Sequence, residues 1–511
     1  MNKGVSILAR SCAVAIIIGA AFVVPMSGSA ANSYVTTVNG FLNYQLGAGL
    51  NETCPNSASS CRNGAAEPAI RSDRAGNFYG SSENGLTSGT EAWKSTDGGL
   101  HYTHLASPNQ LSSPTNGTES GISPAGGDTD LATATVRNAA GYYNVYVASL
   151  EGTNTDVSTS KDGGQSWTQN LLSGKFPGQD REWVAADGAS KVCLSYASAA
   201  GVLVFAAGLH VECSYDAGAT FTQTSDAIAP ANLDARIAWR IGNQAIDVNS
   251  NTTDRTRSND IVYQTFVSGT VQDAINPNPT DFHIVWMAVS RDGGRTFTDY
   301  QVYNNPDVTV GYAHNFPNVA VDRSGIVYSF FSDNHYVYFK YSTDHGQTWQ
   351  PGGPNGAPIV VSRTPANTAI FPWGVAGAGG KVDLVYYGSS YYDGVNPPDS
   401  YPPSASWNVY FAQNLNVLGN PRGWTQKVAS PVNHYGAVCE GGIGCTGNRD
   451  LYDDFGVAVR AGSGLASIIY SDDQYDQYNP AFASSCTPAA NNSPSCDHTS
   501  IATQTSGKGI Y

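Results

Sequence analysis

The amino-acid sequence predicts an all-β fold, a single β-propeller of seven four-stranded blades, and three observations support this prediction. One turn-forming octet recurs along the chain. Short apolar segments recur upstream of the octets, and each is followed by a β-rich segment. Only 13% of the residues are charged, and the 55 glycines and 26 prolines favour many short strands and turns over helices.

The octet follows the pattern S-x-D-x-G-x-x-aromatic and occurs at Ser95–Tyr102, Ser160–Trp167, Ser214–Phe221, Ser290–Phe297 and Ser342–Trp349. The Asp side chain can accept backbone N–H groups inside a hairpin turn, and the Gly supplies a position with φ > 0. The aromatic residue is expected to anchor the next strand between two sheets. Copies at intervals of about 50 to 75 residues indicate a repeat architecture.

This octet resembles the Asp-box, or BNR, repeat of the sialidase superfamily, which includes the exo-α-sialidases. The resemblance covers nearly the whole chain after its N-terminal segment. It implies that the octet joins the third and fourth strands of a blade, that it is structural, and that it lies opposite the active site. Sialidases also have an F/Y-R-I-P motif in the first blade. The nearest match here is Ala65–Ile70, with Ala66 at the Arg position.

The blade count comes from the innermost strands, which we expect to start near residues 68, 131, 183, 244, 317, 373 and 455. Blade six keeps only a decayed octet around Asn420–Trp424, and blade seven shows three strands and no octet. The segment Tyr34–Tyr44 is expected to supply the missing outer strand of blade seven and to close the ring without an open edge. A ring of six blades is the alternative.

The N-terminal residues 1–30 predict a secretory signal peptide. Lys3 and Arg10 precede an apolar run from Cys12 to Val24, and small residues up to Ala31 follow. The mature domain is therefore expected to span residues 31–511 and to be secreted, either extracellular or periplasmic. No later segment approaches the roughly 20 apolar residues that a membrane span needs.

Eight cysteines remain after Cys12, and they fall into pairs that are close in sequence. An even number at short spacings in an exported chain predicts four disulfides. The predicted pairs are Cys54/Cys61, Cys193/Cys213, Cys439/Cys445 and Cys486/Cys496.

Charge and motifs exclude several classes of function. The net charge of −15 argues against a nucleic-acid partner, since such proteins concentrate Lys and Arg on one face. No metalloprotease, P-loop or nucleophile-elbow motif occurs, and we predict no cofactor or metal. The segment Asp247–Asp254 has a calcium-like spacing of oxygen ligands, but it lacks the Gly and Glu of an EF-hand loop. A plain surface loop is favoured there, with structural calcium as the alternative.

The longest loops are expected on the face opposite the octets, where function usually resides. Residues just before each innermost strand should line the rim of the central pore on that face. Carboxylates there could act in glycoside hydrolysis, and arginines could bind a substrate carboxylate. The catalytic candidates are Asp180, Glu182, Asp453 and Asp454. The substrate-binding candidates are Arg181, Arg236, Arg240, His314, Trp373 and Arg449. Glu67, Asp128 and Asp130 share this rim.

Asp454 and Arg449 are the preferred candidates, because residues 447–455 are dense in polar groups and adjoin a predicted disulfide. The alternative for every rim residue is an ion pair that ties neighbouring blades together. Aromatic residues in or beside the 388–406 loop, among them Tyr392 and Trp407, could stack on sugar rings. They could equally serve to order the loop.

Three functions are compatible with these residues. The first is a sialidase-like glycoside hydrolase that acts on an extracellular, possibly acidic, glycan and needs two carboxylates about 5 to 10 Å apart. The second is a non-catalytic propeller that binds a carbohydrate or a surface. The third is a polysaccharide lyase, with His314 or His434 beside an Arg that neutralises a uronate. A carbohydrate is the expected partner in each case, and the fold alone does not choose between them.

Overall fold

The computed structural model describes residues 35–46, 52–53, 66–83, 89–109, 128–152, 154–198, 208–229, 240–250, 257–269, 282–395, 398–442, 445, 449–474 and 497–511. Residues 34–511 form one compact unit. The predicted signal peptide lies outside the described residues. Within the described ranges, no helix has the length and apolar character to cross a membrane.

Seven antiparallel sheets form the blades of a propeller, which confirms the predicted fold class. Blade 1 consists of Ala66–Ser72, Phe78–Glu83, Thr90–Ser95 and Tyr102–His104. Blade 2 consists of Thr129–Thr133, Val145–Glu151, Asn154–Ser160 and Thr168–Asn170. Blade 3 consists of Gln179–Asp187, Lys191–Ser198, Leu209–Ser214 and Gln223–Asp226.

The remaining blades repeat this up-and-down order from the axis outward. Blade 4 consists of Arg240–Asp247, Ile261–Ser268, Ile284–Ser290 and Thr298–Asn304. Blade 5 consists of Asn318–Val321, Val327–Ser332, Val337–Ser342 and Ile359–Val360. Blade 6 consists of Thr368–Ala376, Val382–Ser389, Ser406–Asn414 and Thr425–Tyr435. Blade 7 consists of Gly456–Val459, Ala466–Asp472, His498–Gln504 and the N-terminal strand Phe41–Gln45.

The N-terminal strand closes the ring, as the sequence predicts. Phe41–Gln45 pairs with His498–Gln504 and places Tyr44 opposite Ile501. Each innermost strand contacts that of the next blade, and Gly456–Val459 contacts Ala66–Ser72. The sheet of blade 7 has a fifth strand, Thr36–Val38, and Glu52–Thr53 adds a parallel strand to blade 1.

The octets form the turn between the third and fourth strands of blades 1 to 5. In blade 5, Ser342 Oγ donates to Asp344 Oδ1 at 2.7 Å and accepts the Gly346 N–H at 2.8 Å. Asp344 Oδ1 also accepts the Thr348 N–H at 2.9 Å. Gly346 has φ +82°, and Trp349 is fully buried. The turn thus satisfies its own backbone donors while its aromatic ring enters the core.

Aromatic side chains fill the space between blades, and blade 6 does so without an intact octet. Trp424 is buried, and its ring centroid lies 5.2 Å from that of Phe339 and 6.4 Å from that of Phe330, both in blade 5. The decayed octet has therefore kept the aromatic anchor and lost the Asp.

Two of the four predicted disulfides are confirmed. Cys193–Cys213 joins the second and third strands of blade 3. Cys439–Cys445 closes a short loop between blades 6 and 7. Both bonds link residues that are close in sequence, as the spacing predicts.

The other two predicted disulfides are not confirmed. Their cysteines all lie outside the described residues, namely Cys54 and Cys61 before blade 1 and Cys486 and Cys496 before the third strand of blade 7. The bonds Cys54–Cys61 and Cys486–Cys496 therefore stay predictions from the sequence alone.

On the face that carries the octets, Asp247 ends the first strand of blade 4 and enters the turn to the second strand. Its Oδ1 accepts the Asn249 N–H at 3.0 Å, and its Oδ2 lies 3.6 Å from His345 Nδ1. This carboxylate therefore acts as a turn residue, while residues 251–254 of the Asp247–Asp254 segment lie outside the described residues.

Candidate active site at the propeller axis

Several innermost strands are irregular where they start, on the face opposite the octets. The register shifts between Ala66 and Ala69 in blade 1 and between Asp180 and Trp183 in blade 3. Glu67 and Arg181 lie inside these bulges with φ of +53° and +60°. A bulge re-aims a side chain at a sheet edge. Here the bulges bring Glu67 and Arg181 into contact with charged residues of other blades.

We call Glu67, Asp128, Arg181, Arg449 and Asp453 the axial cluster. Arg181 contacts Asp453 Oδ2, and it lies 3.0 Å from Asp128 Oδ1 and 4.0 Å from Glu67 Oε1. Arg449 lies 2.9 Å from Glu67 Oε1 and 2.8 Å from Asp453 Oδ2. One oxygen from each of the three carboxylates lies within 4.8 Å of the others. Two guanidinium groups therefore hold three nearly buried carboxylates from different blades together.

Aromatic rings pack against this cluster. The Arg181 guanidinium lies 4.4 Å from the ring centroid of Phe316, and Asn315 donates to Asp453 Oδ1 at 3.1 Å. The rings of Trp183 and Trp373 lie 5.4 Å apart. The apolar surroundings strengthen every electrostatic interaction of the cluster because they exclude water.

Asp454 lies beside this aromatic group and lines a small cavity with Trp183, Phe316 and Trp373. Burial raises the pKa of Asp454 to about 8, against the opposing effect of the Arg181 charge. Burial likewise raises the pKa of Asp128 to about 8, again opposed by Arg181. With such a pKa, Asp454 is mostly protonated at pH 7 and can donate a proton, whereas Asp128 is held in its ion pair with Arg181.

A second polar group adjoins the axis. His314 Nδ1 lies 2.8 Å from Glu440 Oε2, and Asn334 donates to the same oxygen at 3.1 Å. Arg240 donates to the Glu440 carbonyl oxygen at 3.3 Å. Within the described part of the chain, His314 Nε2 and Arg240 Nε are buried and have no hydrogen-bond partner. Burial and the Arg181 charge lower the pKa of Arg240, against the opposing effect of Glu440 and Asp180.

The structure distributes the predicted site residues over different environments. Arg181, Arg449 and Asp453 meet directly, and Asp454, Trp373, Arg240 and His314 surround them. Glu182 is buried, and neither of its carboxylate oxygens has a hydrogen-bond partner among the described residues. Asp180 is exposed at the rim. Arg236 lies outside the described residues.

For Trp407, the structure fits the second of the two alternatives, in which the ring orders the loop. Trp407 is fully buried, donates to the Gly436 carbonyl at 2.9 Å and stacks on Tyr401. The loop folds back over this ring, so Trp407 orders the loop. Tyr392 is exposed, as expected, and its ring lies 3.9 Å from that of His335.

Sequence reasoning missed four residues that shape the site, namely Arg71, Asn315, Phe316 and Glu440. Arg71 pairs with Asp130 at 2.7 Å and covers the Trp373 ring at 4.9 Å. Asn315 and Phe316 directly follow His314, and Glu440 follows Cys439 of a disulfide. The sequence could have indicated these residues only by their closeness to candidates that were already named.

Comparison with known proteins gives only distant matches. No protein-family model matches the chain, and no curated protein matches it significantly. Among solved structures, an α-L-arabinanase of Penicillium chrysogenum in complex with arabinobiose is 11% identical, with a TM-score of 0.40 over 86% of this chain and 92% of its own. The endosialidase of phage phi92 is 10% identical, with a TM-score of 0.39 over 88% of this chain and 68% of its own.

A third structure, YCF48 bound to a D1 peptide, is 10% identical, with a TM-score of 0.42 over 93% of this chain and 97% of its own. Likeness at this level gives no argument about fold or function. Both therefore rest on the residues of this chain.

Proposed function

We propose that the chain is an exported, sialidase-like glycoside hydrolase that cleaves a glycan at the axial cluster. The observation that supports this most is the carboxyl of Asp454, whose pKa is raised to about 8, directly after Asp453, whose carboxylate is held by Arg181 and Arg449. Glycoside hydrolysis needs one carboxyl that donates a proton and a second that stays ionised. The predicted signal peptide and the two disulfides support export.

In this proposal, Asp454 is the proton donor to the leaving-group oxygen. Asp453 is the anionic partner, because two guanidinium groups and the Asn315 amide hold its carboxylate in place. Its charge would stabilise the positive charge that develops on the sugar ring. Glu67 adds a second carboxylate beside it, with Oε2 buried and without a hydrogen-bond partner among the described residues.

The preference for an acidic glycan rests on Arg240. Protein carboxylates already occupy Arg181 and Arg449, whereas Arg240 Nε is buried without a partner in the described ranges. A substrate carboxylate would supply the charge that Arg240 lacks. Arg240 is therefore the residue that we propose to select a sialic or uronic acid over a neutral sugar.

The experiment is a screen of purified protein against fluorogenic sialosides, arabinosides and neutral glycosides. Asp454→Asn should lower kcat by about 10² to 10⁴ fold, as removal of a general acid does. Arg240→Gln should raise the KM for acidic substrates and leave the KM for neutral substrates unchanged. Asp399→Asn, which changes an exposed carboxyl, is the matched control. Turnover unaffected by Asp454→Asn would contradict the assignment, and glycan binding without turnover would favour a non-catalytic propeller.

A lyase is the second candidate, favoured by one specific contact. His314 has Nδ1 on Glu440 and a buried Nε2 without a partner in the described ranges, and Arg240 contacts the Glu440 carbonyl. In this arrangement His314 could act as the base, and the neighbouring Arg240 could neutralise the carboxylate charge of a uronate. Release of an unsaturated uronate, detected by its ultraviolet absorbance, and its loss in His314→Gln would establish this function in place of hydrolysis.

A further inference from the structure

A second cluster of ionisable residues lies between blades 6 and 7, apart from the axial cluster. His434 is near the end of the fourth strand of blade 6, Asp473 follows the second strand of blade 7, and Asp450 precedes the first strand of blade 7. One nitrogen of His434 and one oxygen of each Asp lie within 4.8 Å of one another. All three residues are buried. We call them the interblade cluster.

The interblade cluster holds more negative than positive charge. Asp497 lies near it, because Tyr452, two residues after Asp450, donates its hydroxyl hydrogen to Asp497 Oδ2. Within this cluster, the His434 ring faces the carboxyl groups of Asp450 and Asp473. Asp450 Oδ2 and Asp497 Oδ1 are buried and have no hydrogen-bond partner among the described residues. Buried carboxylate oxygens without partners are costly, and an additional cation would remove that cost.

The His434 ring is oriented as a metal ligand would be. Its Nε2 lies 3.0 Å from the Ala437 carbonyl oxygen, which accepts the proton of that nitrogen. This contact turns Nδ1 toward the carboxylates, where it lies 2.8 Å from Asp473 Oδ2. Metal-bound histidines commonly donate their other ring N–H to a backbone carbonyl, which fixes the tautomer.

The backbone also holds the carboxylates in place. The Asp473 N–H donates to the Asn433 carbonyl at 3.1 Å, and the Asn433 side chain donates to the Ser471 carbonyl at 3.0 Å. Tyr452 donates its hydroxyl hydrogen to Asp497 Oδ2. The donors are therefore pre-positioned by two neighbouring blades.

We propose that His434 Nδ1, Asp450 and Asp473 bind a divalent transition metal ion, with Zn²⁺ as the best match. One imidazole with carboxylates suits Zn²⁺ better than the all-oxygen shell that Ca²⁺ prefers. In a tetrahedral site, Zn²⁺ bonds of about 2.0 to 2.2 Å place donor atoms about 3.3 to 3.6 Å apart, so donor atoms that lie up to 4.8 Å apart would draw together on binding. On binding, the proton on Nδ1 passes to solvent.

The bound ion would have a structural role. It would tie the outer strand of blade 6 to the segment 449–454, which contains Arg449, Asp453 and Asp454. The site therefore differs from the axial cluster, and its existence does not depend on the proposed hydrolase activity.

The test uses full-length, tag-free protein that has been stripped with a chelator and dialysed. Titration calorimetry with Zn²⁺, Mn²⁺ and Ca²⁺ measures affinity, and thermal unfolding with and without each ion measures the stabilisation. We expect about one Zn²⁺ per chain, a higher Tm with Zn²⁺, and affinity at least about tenfold weaker in Asp450→Asn and His434→Gln. Asp399→Asn should bind as the wild type does.

X-ray absorption of the Zn²⁺-loaded wild type keeps the proposal testable if either variant fails to fold. One imidazole and two or more carboxylate oxygens around the ion would support the site, whereas thiolate ligands or no imidazole would overturn it. Folded wild type that binds no Zn²⁺, variants that bind as tightly as the wild type, or a Tm that rises with Ca²⁺ but not with Zn²⁺ would also overturn it.

Discussion

Replacing Arg181 with Ala should destabilise the propeller through its axis. The side chain is nearly buried and contacts Asp128, Asp453 and Glu67, with Phe316 packed against its guanidinium. Its loss leaves the buried Asp128 carboxyl without its guanidinium partner, whereas Arg449 still pairs with Glu67 and Asp453. Removing one partner of a buried ion pair costs about 3 to 5 kcal/mol.

The expected thermal shift follows from the size of the domain. Residues 34–511 form one unit, and at about 2.1 cal/mol/K per residue the unfolding entropy is about 1 kcal/mol per kelvin. The Tm of Arg181→Ala should therefore fall by about 3 to 5 °C at neutral pH. The difference should shrink in acid, because protonation removes the uncompensated negative charge.

The assay is differential scanning calorimetry of the wild type, Arg181→Ala and the control Arg422→Ala, which changes an exposed arginine. A Tm of Arg181→Ala within about 1 °C of the wild type would refute the reasoning, because it is below the shift expected for breaking a buried ion pair. An equal loss in Arg422→Ala would refute it as well, since that side chain is far more exposed.

Two further predictions concern the octets. Trp349→Ala should lower the free energy of unfolding by about 3 to 5 kcal/mol, because the ring is fully buried. Trp167→Ala should lower it less, because that ring is partly exposed. Denaturant unfolding measures both variants, and equal losses of free energy would contradict the described packing. Partial burial opposes ionisation of the octet carboxyls, but hydrogen bonds from the turn lower their pKa below the ordinary value of 3.8, in Asp97, Asp162, Asp216, Asp292 and Asp344. The ionised octet carboxylates stabilise the fold fully above their unfolded-state pKa, and this stabilisation is lost as the pH falls through their folded-state pKa values. The Tm measured from about pH 6 to about pH 2 should therefore drop below about pH 4. A Tm that does not change over this range would be inconsistent with ionised octet carboxylates.

The fold was predictable because its signals are local. Each octet contains its own Ser, Asp and Gly, so a single stretch of sequence specifies the turn wherever it occurs. The predicted inner-strand start near 317 corresponds to a strand that begins at Asn318, and the predicted closing segment contains most of Phe41–Gln45. Strand periodicity and turn chemistry act over a few residues, which a single sequence reveals.

The contacts of the candidate site were not predictable in the same way. The sequence places Glu67, Arg181 and Asp453 on one rim, but their pairing depends on bulges and on residues from three blades. Likewise, the partner of His314 is Glu440, 126 positions along the chain. The sequence left both roles of Trp407 open, because loop composition does not show whether a ring packs inward. Long-range partner choice is set by tertiary packing, which local patterns do not encode.

The joint between Phe41–Gln45 and His498–Gln504 has a consequence for how the molecule assembles. The two strands come from distant parts of the polymer, so their pairing is among the least local contacts in the structure. Bringing them together carries a large loop-closure entropy, and contacts of this kind slow folding. Once this strand pairing has formed, the ring is closed, and every blade is restrained by a neighbouring blade on each side.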